Sequence, residues 1–204
     1  MYDLLSAIIN GIVYGSIYAI IAQGYYITFI TTRTLNFGQG DFVMLGALVG
    51  LTTFTTVTAS GGGVWIAFIA SLLVVIVLLG FSGWALQQVA IRPLKSWHSI
   101  GWILSTVAVA MIVRNIAMLI WGREVLQAPS PFGRNMLNLG IVSIRYHEIF
   151  VLFGAALLMF LLYVFLKKSL FGKALEAVAF NKDAASLMGI NPRLMASVSF
   201  IIAG

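Results

Sequence analysis

Three stretches of this sequence hold residues whose types and spacing could do chemistry. The first is Asn36-Phe37-Gly38-Gln39-Gly40-Asp41. Each of its two glycines weakens a helix by about 1 kcal/mol relative to alanine, while Asn and Asp bond local backbone groups and favour helix starts. In an apolar medium a broken helix survives only where protein or a water-filled cavity satisfies the freed backbone. Half-helix ends of that kind can aim backbone dipoles at a polar solute. The same spacing also fits a plain turn capping the next helix, with Asp41 in its first turn. The second is Arg114, set between Val113 and Asn115 in an apolar run. It either faces a partner or a wet passage, or it snorkels toward Trp121 and Gly122. The third is the segment 167–193. Leu175, Val178 and Ala179 alternate there with Glu176, which suggests a short amphipathic helix over 174–180. Asn181 can cap a second short helix, Lys182–Met188, and Gly189 can end it as a left-handed residue. Asn191-Pro192 then supplies an N-cap and first position for a further helix. Two short helices make a docking surface for a soluble partner, or a surface element resting on lipid headgroups.

Other chemistries lack their parts. There is no cysteine, so disulfides and thiolate metal sites are excluded. His98 and His147 are isolated, and Ser71 and Ser105 have no His or Lys beside them. No acid, base and nucleophile assemble into a catalytic set. No Gly-x-x-x-x-Gly-Lys-[Ser/Thr] loop is present to cradle phosphates.

The elements that must position these residues follow from composition. Of 204 residues, 61% are hydrophobic and 9% charged, with mean hydropathy +1.02. Soluble domains carry about 25% charged residues, so this is an integral membrane protein. The net charge of +6 marks span ends rather than a nucleic-acid footprint. Spanning takes about 20 apolar residues, and the uncharged runs place helices near 4–30, 38–58, 64–87, 99–121 and 147–166. Ala59-Ser60-Gly61-Gly62-Gly63 forms the turn between the second and third. A sixth span starts at Leu194 and stops at Gly204, about half the required length, as though a longer chain were truncated. The N-terminus lacks a cationic leader region, with Asp3 its one charged side chain, and reads as an uncleaved span.

Lys and Arg in short loops set orientation. Arg33, Arg92, Lys95, Lys167, Lys168, Lys173, Lys182 and Arg193 fall on one side, and Arg123, Arg134 and Arg145 on the other. That bias puts the 167–193 segment in the cytoplasm and the N-terminus outside. The longest outside stretch, 122–146, contains Pro129, Pro131 and Gly133 and reads as an irregular lid-like loop. Gly11-x-x-x-Gly15 and Gly46-x-x-x-Gly50 are patterns that let helices approach closely. Trp65, Trp97 and Trp121 sit where interfacial aromatics sit. Gln23, Tyr25 and Tyr26 could line a polar passage.

At this point a resemblance becomes specific. Asn10-Gly11, Gly15-Ser16, Tyr18-Ala19, Ala22 and Gly24-Tyr25, followed by Leu35-Asn36-Phe37-Gly38-Gln39-Gly40-Asp41, resemble the opening of LivH-type permeases. These are membrane subunits of bacterial branched-chain amino-acid ABC importers. Arg92-Pro93-Leu94 resembles the loop after their third span, and Lys173-Ala174 through Gly189-Ile190-Asn191 their cytoplasmic coupling loop. Two departures stand out: Glu176-Ala177-Val178 replaces the general Glu-Ala-Ala, and Gln39 stands where His is common.

The resemblance implies an all-α polytopic permease, a single transmembrane domain over 1–204 with the coupling loop at 167–193. It implies a location in the bacterial inner membrane, amid lipid. Its partners would be a second, LivM-like permease subunit, two cytoplasmic ATPases that bind the ATP, and a periplasmic solute-binding protein. The chain itself would bind no cofactor, metal or nucleic acid and would not be an enzyme. Asn36, Phe37, Gly38, Gln39, Gly40, Asp41 and Arg114 would border the solute path. Glu176, Ala177, Ala179, Asp183, Ala184, Ala185, Leu187, Gly189 and Ile190 would meet the ATPase. Branched-chain amino acids are the expected solute. Urea, amides and other small polar solutes stay open within the wider family, with a channel or an intramembrane enzyme as rivals outside it.

Overall fold

In hydrocarbon an apolar segment satisfies its backbone by closing into a helix, and the long apolar runs of this chain do so. The computed structural model describes residues 2–93, 101–124, 126–127, 136–138 and 143–204. Its long helices are α1 (Tyr2–Thr32), α2 (Gln39–Ala59), α3 (Val64–Leu86), α4 (Gly101–Trp121) and α5 (Tyr146–Lys168). Three shorter ones follow: α6 (Leu170–Phe180), α7 (Lys182–Leu187) and α8 (Pro192–Ala203). Among the described residues, five helices are long and apolar enough to cross a membrane, and α8 is apolar but shorter. The protein is an all-α, multi-pass membrane protein, with span ends within a few residues of those expected.

Two local features differ from expectation. Beyond α3 the helix continues as a π-helical turn over Gln87–Ile91, where the Arg92 amide donates to the Gln87 carbonyl at 2.9 Å. In the stretch expected to be irregular, β1 (Met136–Asn138) and β2 (Ser143–Arg145) pair antiparallel, Met136 opposite Arg145. Three-residue strands are too short to show alternation. Leu94, Lys95, Trp97, His98, Pro129, Pro131, Gly133 and Arg134 lie outside the described residues.

Helix α1 packs against α5 and α8, α3 against α2 and α8, and α4 against α2. Lipid tails are as apolar as leucine, so helices associate through close packing and hydrogen bonds rather than by escaping water. The buried set reflects this: it is rich in small and hydroxyl residues such as Ala67, Ala110, Ala117, Thr28, Thr106 and Ser199, while Leu73 and Val77 of α3 face outward. Thr31 and Ser199 share a hydrogen bond at 2.8 Å between α1 and α8. Trp121 does more than mark an interface, because its Nε1 donates to Thr52 Oγ1 at 2.6 Å.

The two glycine patterns part company. A Cβ on Gly46 would sit 2.7 Å from Leu79 Cδ1 and one on Gly50 3.4 Å from Val75 Cγ2, so this pair seats α2 on α3. Gly11 and Gly15 have nothing within 4 Å, and the expected close packing there does not occur among the described residues. A third contact had no pattern to announce it: a Cβ on Gly83 would overlap the Phe200 carbonyl, which brings α3 and α8 together backbone to backbone.

Gly83→Val should therefore push α8 off α3 and lower the apparent thermal midpoint of the purified protein, an overpacking cost of roughly 1–3 kcal/mol. Gly11→Ala should not lower it. Equal midpoints for the two variants would contradict the α3–α8 seating.

Candidate functional site

The chain between α1 and α2 is built from local polar chemistry. Thr28, Thr31 and Thr32 turn their hydroxyls back onto α1 carbonyls, and Arg33 ends the helix in the left-handed region at φ 59°. That conformation strains a residue with a Cβ. Its guanidinium reaches across to donate through Nη2 to the Ala179 carbonyl of α6 at 3.0 Å. Beyond it, Asn36 Oδ1 accepts from the Gly38 amide at 3.0 Å, and Asn36 Nδ2 donates to Gln39 Oε1 at 3.2 Å. Gln39 Nε2 then donates to the Ala203 carbonyl of α8 at 2.6 Å. Gly24 leaves room for this, since a Cβ there would lie 3.0 Å from Gln39 Nε2. Gly38 lies against α4, where its Cβ would meet Ala110 Cβ at 3.3 Å. Gly40 faces open space. Phe37 stacks on Trp102 with centroids 5.8 Å apart.

The depth of this break is set by its neighbours. Asp41 meets Arg114, Gly38 meets Ala110, and Thr52 meets Trp121, so α2 and α4 run parallel with α2 starting far along its partner. At 1.5 Å per residue, Arg114 is about 20 Å from Gly101 and about 10 Å from Trp121. Gln39 is level with Gly24, which is about 12 Å from the Thr32 end of α1, and with Ala203, about 16 Å from the Pro192 end of α8. The Asn36–Asp41 stretch is thus an interrupted entry inside the bundle. The alternative of a plain turn at the end of the spans does not fit these contacts.

Asp41 and Arg114, the two charged candidates read from the sequence, are partners. Arg114 Nε donates to Asp41 Oδ1 at 2.8 Å and Nη2 to Oδ2 at 3.1 Å, a bidentate pair. The two side chains differ in exposure, 55% for Arg114 and 8% for Asp41. Asp41 is also the third residue of α2, where the helix dipole favours an anion. Arg114 does not snorkel. Of the remaining candidates, Gln23 Oε1 is buried without a hydrogen-bond partner among the described residues, and Tyr26 is exposed.

The second cluster lies at the end of the bundle that carries Arg33, Lys167, Lys173, Lys182 and Arg193. Ser169 caps α6 by accepting from the Gly172 amide at 2.9 Å, and a Cβ on Gly172 would overlap the Leu166 carbonyl. Asn181 Oδ1 caps α7 by accepting from the Asp183 and Ala184 amides, each at 3.0 Å. Gly189 has φ 83° and closes the turn, and Asn191 caps α8 with Pro192 in its first turn. Leu175, Val178, Ala185 and Met195 form a small core, with Ala177 and Ile190 packed on it. Burial, reinforced by the nearby Arg33, pulls the Lys182 ammonium below its ordinary pKa.

This packing divides the expected docking set between inward and outward positions. Ala177, Ala185 and Ile190 pack on that internal core, and Glu176 pairs with Lys167 at 2.8 Å. Ala179 is half-buried and gives its carbonyl to Arg33. Asp183, Ala184, Leu187 and Gly189 are exposed. Sequence reasoning missed the side chains that dominate the outer surface: Phe180 is 95% exposed and Met188 82%, beside Leu187 at 89%. Three large apolar residues free of the core were the available signal. It also missed Gly24, Ser199 and Ala203, whose roles depend on contacts between distant segments.

Comparison with known proteins agrees with the resemblance. The family model described as "Branched-chain amino acid transport system / permease component" matches residues 7–204. The high-affinity branched-chain amino acid transport system permease protein BraD of Pseudomonas aeruginosa is 27% identical over 209 residues, covering 99% of this chain and 67% of that protein. The permease protein LivH of Escherichia coli K12 is 27% identical, covering 97% of this chain and 66% of LivH. A probable LivH of Methanocaldococcus jannaschii is 28% identical, covering 96% and 61%. The chain thus spans about two thirds of the length of the relatives it matches. No solved structure is a significant match. With a family model running through five spans, the break and the capped α6–α7 unit, the chain belongs to the family of branched-chain amino acid transport permease components.

Proposed function

We propose that this chain is the membrane-spanning permease subunit of a bacterial ABC importer for branched-chain amino acids. It acts in the inner membrane beside a second permease subunit, two cytoplasmic ATPases and an external solute-binding protein. The N-terminus lies outside and the 167–193 segment in the cytoplasm. The transport role carried in the relatives' names supports the solute, and the gathering of Arg33, Lys167, Lys182 and Arg193 at one end supports the orientation.

The observation that carries the reading is a physical link between the two clusters. Helices α6 and α7 present Phe180, Leu187 and Met188 outward, while Arg33 ties α6 to the N-terminal side of the break. Helix α8, packed in the same unit through Met195, ends on Gln39. The work is mechanical: ATP-driven movement of the partner ATPases shifts α6 and α7, and the break moves with them. The solute then passes beside Asn36–Asp41 and Arg114 without covalent change.

Three experiments test these parts. On this cysteine-free chain, Ser60→Cys should label from outside and Asp183→Cys from the cytoplasm; the reverse pattern inverts the topology. Leu187→Glu together with Phe180→Ser alters side chains that touch no core, so the permease should insert normally. Copurification of the ATPase should fall about tenfold or more, the loss of roughly 1.4 kcal/mol or above; undiminished copurification reduces the unit to a surface helix pair. Gly38→Ala places a methyl against Ala110 and should slow leucine uptake severalfold, whereas Gly11→Ala, away from the break, should leave uptake unchanged. Equal uptake by both would remove the break from the solute path.

A further inference from the structure

Family membership leaves open how a solute is chosen inside the membrane, and the ion pair across α2 and α4 offers a specific answer. A lone ion pair in a span is costly, and apolar residues of similar volume usually serve stability as well or better. Here the pair joins the first turn of α2 to the interior of α4, and it is bidentate and lopsided in exposure. Asp41 is buried, and Arg114 is 55% exposed with Nη1 unpartnered among the described residues. A guanidinium open at that depth does not face lipid, because charged side chains inside spans turn toward a wet cavity or another protein. Beside it, Gly40 in the first turn of α2 is exposed with nothing within 4 Å of its Cβ position. The free edge of Arg114 and the unobstructed Gly40 are therefore exposed beside the Asp41 carboxylate at the start of α2.

We infer that Asp41 and Arg114 read the zwitterionic head of the transported amino acid. The solute carboxylate takes the free edge of Arg114, where planar bidentate recognition is strongest, and its ammonium lies against the Asp41 carboxylate. Four charges then alternate in sign, so neither the solute nor the protein is left with an unpaired ion. A neutral solute such as urea completes no such array. A carboxylic acid without the amine, or an amine without the acid, completes half of it. The inference rests on the proposed importer function and adds the residues that select within it.

The test uses the whole importer, both permease subunits, ATPases and solute-binding protein, reconstituted with ATP inside proteoliposomes. Leucine should raise the thermal midpoint of the detergent-solubilised complex without its binding protein, and 4-methylvalerate, isoamylamine and urea should not. Arg114→Gln with Asp41→Asn should abolish that shift and slow leucine uptake about tenfold or more, the loss of one charge-assisted hydrogen bond. The reciprocal exchange, Asp41→Arg with Arg114→Asp, rebuilds an ion pair with reversed polarity. It should restore assembly and leave uptake low. Normal leucine uptake by the reciprocal variant would show a merely structural pair and overturn the inference, as would a midpoint shift with urea equal to that with leucine. Absence of leucine uptake by the unaltered importer would instead overturn the functional reading on which the inference stands.

Discussion

A helix that begins inside a bundle exposes its first amide groups where no water is assured, and the arrangement of this protein turns on how α2 meets that demand. The Gln39 amide, first of α2, donates to the Asn36 carbonyl at 3.2 Å. Just ahead of the helix the Asn36 side chain supplies an oxygen to the Gly38 amide and a nitrogen to Gln39, and the Gln39 side chain passes the chain of hydrogen bonds on to Ala203. Each link needs its neighbour. Gly24 must lack a side chain for Gln39 to reach α8, and Gly83 must lack one for α8 to approach α3. Ser197 of α8 donates to Gln87 at 3.0 Å, in the π turn that prolongs α3. The satisfaction of one interrupted helix thereby fixes the relative positions of α1, α2, α3 and α8.

Charge imposes the second demand. Removing one member of a buried pair costs about 3–5 kcal/mol because the other is stranded. The cost here falls on Asp41, the buried partner, more than on Arg114. Position 41 therefore depends on a residue of another helix, and the lateral register of α2 on α4 is fixed by it. Trp121 and Thr52 add a second hydrogen-bonded contact between the same two helices farther along. Two hydrogen-bonded contacts on one helix pair leave little freedom to slide.

What was legible in the sequence divides along the range of the interaction. Caps and terminators act within four residues, so the residue types of Asn181, Gly189 and Asn191-Pro192 suffice to mark α7 and the start of α8. The long spans were equally plain from uncharged length. The break was legible as a break, but its depth was not, because depth is set by Gly24, Ala110 and Ala203, remote in sequence. The union of Arg114 with Asp41 was hidden for the same reason. Small residues were the hardest to assign. Gly11 and Gly15 resembled a packing seam and have no neighbour within 4 Å among the described residues, and Ala177 and Ala185, expected at a docking face, also pack on the internal core. A short side chain satisfies a core and an interface equally well, so composition alone cannot choose.

The two ends of the system meet through short rigid connections. Arg33 lies on the N-terminal side of the break and holds α6 by its guanidinium; Gln39 lies on the C-terminal side and holds α8 by its amide. Helices α6, α7 and α8 share one core around Leu175 and Met195. A displacement of that core pulls on both sides of the break at once. The segment between them, residues 34–38, has no repeating backbone hydrogen bonds to lose, and it is the element best able to change shape. Arg33 already holds a left-handed backbone that a residue with a Cβ adopts at a cost of about 1–2 kcal/mol. Strain at the joint and stiffness on either side of it are the conditions under which a small motion at a surface is concentrated at one interior point rather than dispersed through the bundle.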